Sequence, residues 1–208
     1  MNLNDLSKNI YVINLKDRLD RREHIESQLK KIDCKNYKLF EGVNGNSLMN
    51  PTKLKNGAFG LINTYLKIYE EWSKKDCDDI LIIEDDCLFV DNFNEKLKEY
   101  IDNVPSGWDM LYFGANHNYH GGMITTKVIN DKCIKLNHSF SAHCVLIKSH
   151  VFKELILSIK NFAAETDVIL ARLQNKYDAY STSERLTTQI ESYSNIENKV
   201  VNYDWLIK

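Results

Sequence analysis

Between residues 9 and 114 four short apolar runs, NIYVINL, YKLF, ILII and WDMLYFG, alternate with three stretches of helical period. DRLDRREHIESQLKKI follows a capping Asp17 and sets Leu19, Ile25, Leu29 and Ile32 near one face. From Ala58 to Lys75, Phe59, Ile62, Leu66, Tyr69 and Trp72 recur at three- and four-residue steps, which predicts an amphipathic helix. A polar helix from about 92 to 103 ends before Pro105 and Gly107. The order β-α-β-α-β-α-β builds an open, mostly parallel sheet with helices on both faces. It rules out an all-helical bundle or a β-sandwich for this half.

The second half is less regular. MITTKV, KCIKL and AHCVLI read as shorter strands of a small antiparallel unit. SHVFKELILSIKNF, capped by Ser149, and AETDVILARLQ read as helices, and DAYSTS and LTTQI as edge strands. No repeat or linker divides the 208 residues, so the expectation is one α/β domain with two faces. A net charge of −2 argues against a nucleic-acid surface. Five cysteines without a CxxC pair support neither a disulfide framework nor a structural zinc, and point to free thiols in a reducing compartment. The opening MNLNDLSKNIYVINL has no charged start followed by a long apolar run, and no apolar stretch nears the ~18 residues of a membrane span. A soluble, cytoplasmic protein with no transmembrane segment is expected.

The chemistry concentrates at ILIIEDDC, residues 80 to 87, where four aliphatic side chains run straight into Glu84, Asp85 and Asp86. No lysine or arginine lies within four positions of them. Ligands gather at the carboxyl ends of parallel strands in open α/β sheets. Strand alternation puts Glu84 and Asp86 on one side and Asp85 on the other. Two carboxylates on one side suit a hard divalent cation, Mn²⁺ or Mg²⁺. The alternative is a solvated acidic turn in which Asp86 caps the next element.

Six segments in order resemble glycosyltransferase family 25: YVINLKDRLDRRE, FEGVNG, GAFGLINTYLKIYEEW, ILIIEDDCLF, WDMLYFG and QIESYSNI, which together span most of residues 9 to 196. The resemblance implies a GT-A type fold and a nucleotide-sugar donor, UDP-galactose or UDP-glucose. It further implies a divalent cation and transfer of the hexose with inversion, to a saccharide or a hydroxylated protein. Residues 9–113 would bind the donor and 114–208 the acceptor. The cation would bridge the donor phosphates and supply the positive charge that the acidic trio lacks. Asp86 is its first-choice ligand and Glu84 its second, while Asp85 would hold ribose or sugar hydroxyls. Asn14 and Leu15 would lie beside the base, and Arg21 would reach a phosphate or the base, with Arg22 solvated. Asn44, where the family usually has aspartate, can still accept from a uracil or ribose group. Gly42 and Gly45 would make the turn, and Gly60 would permit close packing or donor approach.

Inversion needs a base for the acceptor hydroxyl. Asp167 matches the family's later acidic position, with Glu165 as reserve. His138 and His143 are core, edge or acceptor-site histidines, and the loop GANHNYHGG, residues 114 to 122, is a candidate for acceptor contacts. The chain departs from the family at Thr64 and Tyr65, where serine-histidine is common, and at Ala142 and His143, where alanine-tyrosine is typical. Thr64 keeps the hydroxyl. With Asn44, these departures either retune the donor sugar or mark a silent domain that binds a nucleotide sugar or a partner protein. Metal-dependent phosphoryl or nucleotidyl chemistry ranks last, because INLKDRLDRR holds no glycine-rich phosphate loop.

Overall fold

The structure, a computed structural model, describes residues 1–119, 122–123, 126–161, 164–197 and 199–202. A short helix α1 (Leu3–Leu6) leads into β1 (Ile10–Asn14), α2 (Leu19–Lys31), β2 (Lys38–Glu41), α3 (Asn56–Trp72) and β3 (Asp79–Glu84). Next come β4 (Cys87–Phe89), α4 (Phe93–Asn103), β5 (Met110–Tyr112), β6 (Asn118–Tyr119), β7 (Gly122–Met123), β8 (Lys127–Val128) and β9 (Cys133–Lys135). The chain continues through β10 (Cys144–Lys148), α5 (Phe152–Asn161), α6 (Thr166–Leu173), β11 (Ala179–Thr182), β12 (Thr187–Gln189), β13 (Ser192–Ser194) and β14 (Lys199–Val201).

Eight strands form one sheet in the order β2-β1-β3-β10-β5-β11-β9-β8. β1 pairs in parallel with β2 and β3, as the alternation predicts, and β5 pairs in parallel with β11. Both faces of β1 and β3 are buried, so the strands read as continuous apolar runs. Tyr11, Ile13, Ile80 and Ile82 pack toward α3, α5 and α6. Ile10, Val12, Leu81 and Ile83 pack on the other side toward α2 and α4. The α/β class expected from the sequence, a central sheet flanked by helices, stands.

The antiparallel unit differs from expectation. β10 enters the centre of the sheet, antiparallel to both β3 and β5, and β9 pairs with β11. β11 is interior, with partners on both sides. Local apolarity marks a strand as buried but carries no record of its neighbour. β10 runs against β3, so its entry segment, Phe140 to His143, sits at the carboxyl end of β3; Glu84 N–H donates to the His143 carbonyl over 2.8 Å. β12 pairs only with β4, beside the acidic trio. Three local expectations fail. Neither Asp17 nor Ser149 caps a helix by its side chain, and Leu19 is exposed, because α2 starts there with Arg18 as its N-cap.

Candidate functional site

β3 ends at Glu84, and Asp85 and Asp86 form the turn into β4. Asp85 lies opposite Glu84 as alternation expects, but Asp86 shares the side of Asp85, which overturns the expected placing of Asp86 with Glu84. Glu84 points to the α3 side, where the Tyr65 hydroxyl lies 3.0 Å from its Oε1 and 3.1 Å from the Ala142 carbonyl. Asp85 and Asp86 both turn to α2. Arg21 Nη1 donates to Asp85 Oδ1 and Asp86 Oδ2, each at 3.0 Å. Asn14 Nδ2 donates to the other Asp85 oxygen at 2.7 Å, and Gln189 Nε2 to Asp86 Oδ1 at 3.3 Å. The trio does have a protein cation, 64 residues away in the chain, at a helix position that faces it. Arg21 is committed to carboxylates, whereas the sequence led us to expect a phosphate or base.

One guanidinium does not balance the cluster. Burial, then the charges of Asp86 and Asp85, pushes the Glu84 carboxyl up to about 8, and Asp167 adds to the push. Burial raises Asp85 too, against the pull of Arg21. Burial opposes the charge on Arg21, but Asp86 and Asp85 hold its pKa above the ordinary value.

The trio lines a cleft. Its apolar walls include Ile13, Leu15, Val43 and Leu61, and its polar edge includes Asn44, Asn46 and Asn195. The Asn44 side chain accepts from Asn46 N–H at 3.0 Å and so shapes the turn at Gly45–Ser47. Thr64 is buried; it accepts from Val43 N–H at 2.8 Å and donates to the Gly60 carbonyl at 2.9 Å, fixing that loop on α3. Gly60 serves packing: a Cβ there would lie 2.4 Å from the Val43 carbonyl oxygen and 2.6 Å from Gly45 N. Of the donor-site expectations, Leu15, Arg21, Asn44, Thr64 and Asp85 line this cleft, while Asn14 and Gly60 support it from behind. Arg22 pairs with Glu26 at the surface.

A second cleft adjoins the first, and Leu61, Glu84, Gln189 and Ile196 line both. Its other wall carries Glu165, Asp167, Ser141 and Ala142. Asp167 sits in the first turn of α6, its Oδ1 accepting from Val168 N–H at 2.8 Å. Burial raises its pKa despite help from the Val168 and Ser141 amides. Ser141 holds φ +81° beside it, a left-handed conformation that costs a non-glycine residue energy. His143 is buried behind the site with Nε2 3.0 Å from Thr187 Oγ1, and burial lowers its pKa to about 4. His138 stacks edge-on with Phe140 instead of lining either cleft. Residues 120 and 121 of the 114–122 loop lie outside the described residues.

Sequence reasoning missed Arg18, Gln189 and Asn195. Arg18 lines the first cleft and donates to the Tyr193 carbonyl at 2.9 Å and to Asn195 Oδ1. Arg21 Nη2 grips the same segment at Ser192 Oγ, 2.7 Å, and the Tyr193 carbonyl, 3.1 Å. The two arginines thus tie residues 192–195 over the acidic trio. The signals were present, in the DRLDRR run and in QIESYSNI, but without contacts to join them.

Residues 7–170 match the family model described as "Glycosyltransferase family 25 (LPS biosynthesis protein)". The chain belongs to glycosyltransferase family 25. Within this family's neighbourhood, it is 28% identical over 174 residues to "Procollagen lysyl hydroxylase and glycosyltransferase" of Acanthamoeba polyphaga mimivirus, covering 70% of this chain and 19% of that protein. It is 27% identical over 128 residues to human "Procollagen galactosyltransferase 2", covering 50% of this chain and 20% of that one. This family 25 chain therefore spans about a fifth of the length of those relatives. A crystal structure of a protein from STIV aligns over 88% of this chain and 85% of its own, with a TM-score of 0.52 at 12% identity, a likeness of fold.

Among the described residues no group of three His, Cys, Asp or Glu side chains is placed to hold a metal ion. The residues present still fit a hard divalent cation. Such ions commonly take one or two protein carboxylates and leave the remaining positions to water and phosphate. Burial first, and then the charges of Asp86 and Asp85, raise Glu84, and a cation would relieve the charge repulsion.

Proposed function

We propose that this chain transfers a hexose, galactose or glucose, from a UDP-sugar to a saccharide or protein hydroxyl, with inversion and with Mn²⁺ or Mg²⁺ as cofactor. The observation that carries this reading is the meeting of the two clefts at Glu84, with the acidic trio on one side and the buried Asp167 on the other. A donor in the first cleft would set its base between Leu15, Val43 and Leu61, within reach of the Asn44 and Asn195 amides. Its pyrophosphate would lie toward Asp86 and Glu84, which would hold the cation. When bound, the cation supplies charge neutralisation on the departing nucleotide diphosphate.

The protein's own share is positioning and proton transfer. Asp167 is the candidate base: it faces the second cleft, and its raised pKa makes it a better proton acceptor than an ordinary aspartate. The acceptor hydroxyl attacks from the second cleft, on the face opposite the leaving diphosphate, and gives its proton to Asp167. Glu165 remains the reserve, half-buried on the same wall. The family description favours a glycan acceptor, and the procollagen relatives favour a hydroxylated protein. The whole chain, 1–208, acts as one domain. The 9–113 and 114–208 halves share the donor cleft through Gln189 and Ser194 to Ile196. No described helix is long and apolar enough to cross a membrane. The five free cysteines support a cytoplasmic setting.

One observation favours a silent binding domain instead: Arg21 and Gln189 already occupy both oxygens of Asp86. Titrating Mn²⁺ and UDP by calorimetry, then assaying hydrolysis of UDP-galactose and UDP-glucose, separates the two. Turnover that Asp86→Asn abolishes supports the enzyme. Binding without turnover for every donor supports the silent domain, and indifference to both Mn²⁺ and UDP ends the enzyme reading and leaves only a domain that binds a partner protein.

A further inference from the structure

We infer that Gln189 sets the choice of donor sugar, its Oε1 accepting a hydrogen bond from a hydroxyl of the transferred hexose. This rests on the hexosyl-transfer reading. In a site of two joined clefts the transferred sugar must lie at the junction, since its anomeric carbon faces the acceptor while its phosphate stays with the donor. Four residues line both clefts: Leu61, Ile196, Glu84 and Gln189. The first two are apolar, and Glu84 is engaged by Tyr65 and placed to serve the cation. Gln189 is the neutral hydrogen-bonding group of the four.

Its amide is also oriented in advance. Asp86 can only accept, so the Gln189 contact at 3.3 Å must come from Nε2, and Oε1 is directed elsewhere. No described residue donates to that oxygen. The backbone is fixed as well: Gln189 pairs with Cys87 across β12 and β4, and Ile190 N–H donates to the Asp86 carbonyl at 3.0 Å. A fixed acceptor at the sugar position is a specificity device, because a polar group left unpaired by the wrong sugar costs binding energy. Galactose and glucose differ in the orientation of one hydroxyl, at C4, so one such group suffices to separate them.

The test is Gln189→Met, which keeps the volume and removes both hydrogen-bonding atoms. Wild type and variant are compared for UDP affinity by calorimetry and for kcat/KM on UDP-galactose and UDP-glucose with Mn²⁺. The inference expects the ratio of the two kcat/KM values to move by about ten-fold, the scale of one hydrogen bond, with UDP affinity unchanged because UDP lacks the transferred hexose. An unchanged ratio overturns it, whether or not overall activity falls, and so does a loss of UDP affinity that accounts for the whole effect. Gln189→Glu, which keeps an acceptor oxygen, should restore part of the discrimination. If wild-type protein fails to bind UDP at all, the hexosyl-transfer reading fails and takes this inference with it. Wild-type binding and turnover with an unmoved ratio sinks the inference alone.

Discussion

The Tyr65 hydroxyl lies 3.0 Å from Glu84 Oε1, and the tyrosine that carries it is 1% exposed. A rigid α3 thus aims one carboxyl of the acidic trio at the junction of the two clefts. Where the family commonly has histidine, this chain has a longer side chain without a charge. The substitution keeps a contact to Glu84 instead of opening a hole.

The burial of that carboxyl has a pH consequence. Glu84 titrates at about 8 in the folded chain against an ordinary 4.5, so between those values the folded state holds a proton that the unfolded state has released. Stability falls with rising pH wherever the folded state binds more protons. Glu84 therefore contributes stability below pH 4.5 that is lost as pH passes 8. His117 and His143, lowered to about 4 by burial, act in the opposite sense between about 4 and 6.5. The fall should emerge between about 6.5 and 8, as a declining Tm in calorimetric scans of metal-free protein. Mn²⁺ should flatten it. Tyr65→Phe removes a hydrogen bond that favours the charged form and should move the decline to higher pH.

Arg21 is the counter-ion of Asp85 and Asp86, with side chains 9–13% exposed on all three. Removing one partner of a buried ion pair costs about 3–5 kcal/mol, because the remaining charge is left unpaired. Arg21→Ala should lower stability by that order in urea titrations at pH 7. Asp85→Asn in the same background should recover part of the loss.

Asp167→Asn keeps the side-chain size and the bond from Val168 N–H while removing the proposed base. Transfer should fall by about 10²–10⁴-fold, with UDP affinity unaltered. Steady-state assays with a competent acceptor, beside calorimetry with UDP, measure both. Equal losses in binding and transfer would move the role of base to Glu165.

Gly60→Ala drives a methyl against the Val43 carbonyl and Gly45 N, backbone atoms that cannot swing aside. Overpacking of this kind costs about 1–3 kcal/mol. The displaced loop carries Asn44, so UDP affinity should drop along with Tm. A drop in Tm alone would remove Asn44 from the donor site.

The central parallel strands and α3 were legible in the sequence because burial imposes a period, and period is a local property. The place of the site was legible too, since charge directly after an apolar run marks where a strand leaves the core. What escaped was pairing. AHCVLI reads the same whether its neighbours are β3 and β5 or a separate hairpin. The isolation of Glu84, Asp85 and Asp86 from any nearby arginine in sequence suggested a missing cation, when Arg21 fills part of that role across 64 residues of chain. The alternation rule set Asp85 opposite Glu84 correctly and failed at Asp86, because the strand had already ended.

Arg18 and Arg21 reach residues 192–195 across 171 to 177 positions of chain. Contacts so distant close late, since long loops must lose their freedom before such pairs form. A nascent chain would expose its acidic trio well before the segment that covers it arrives. Nucleotide binding would then serve as a readout of finished folding, silent in any partly assembled state however much of the sheet has already formed.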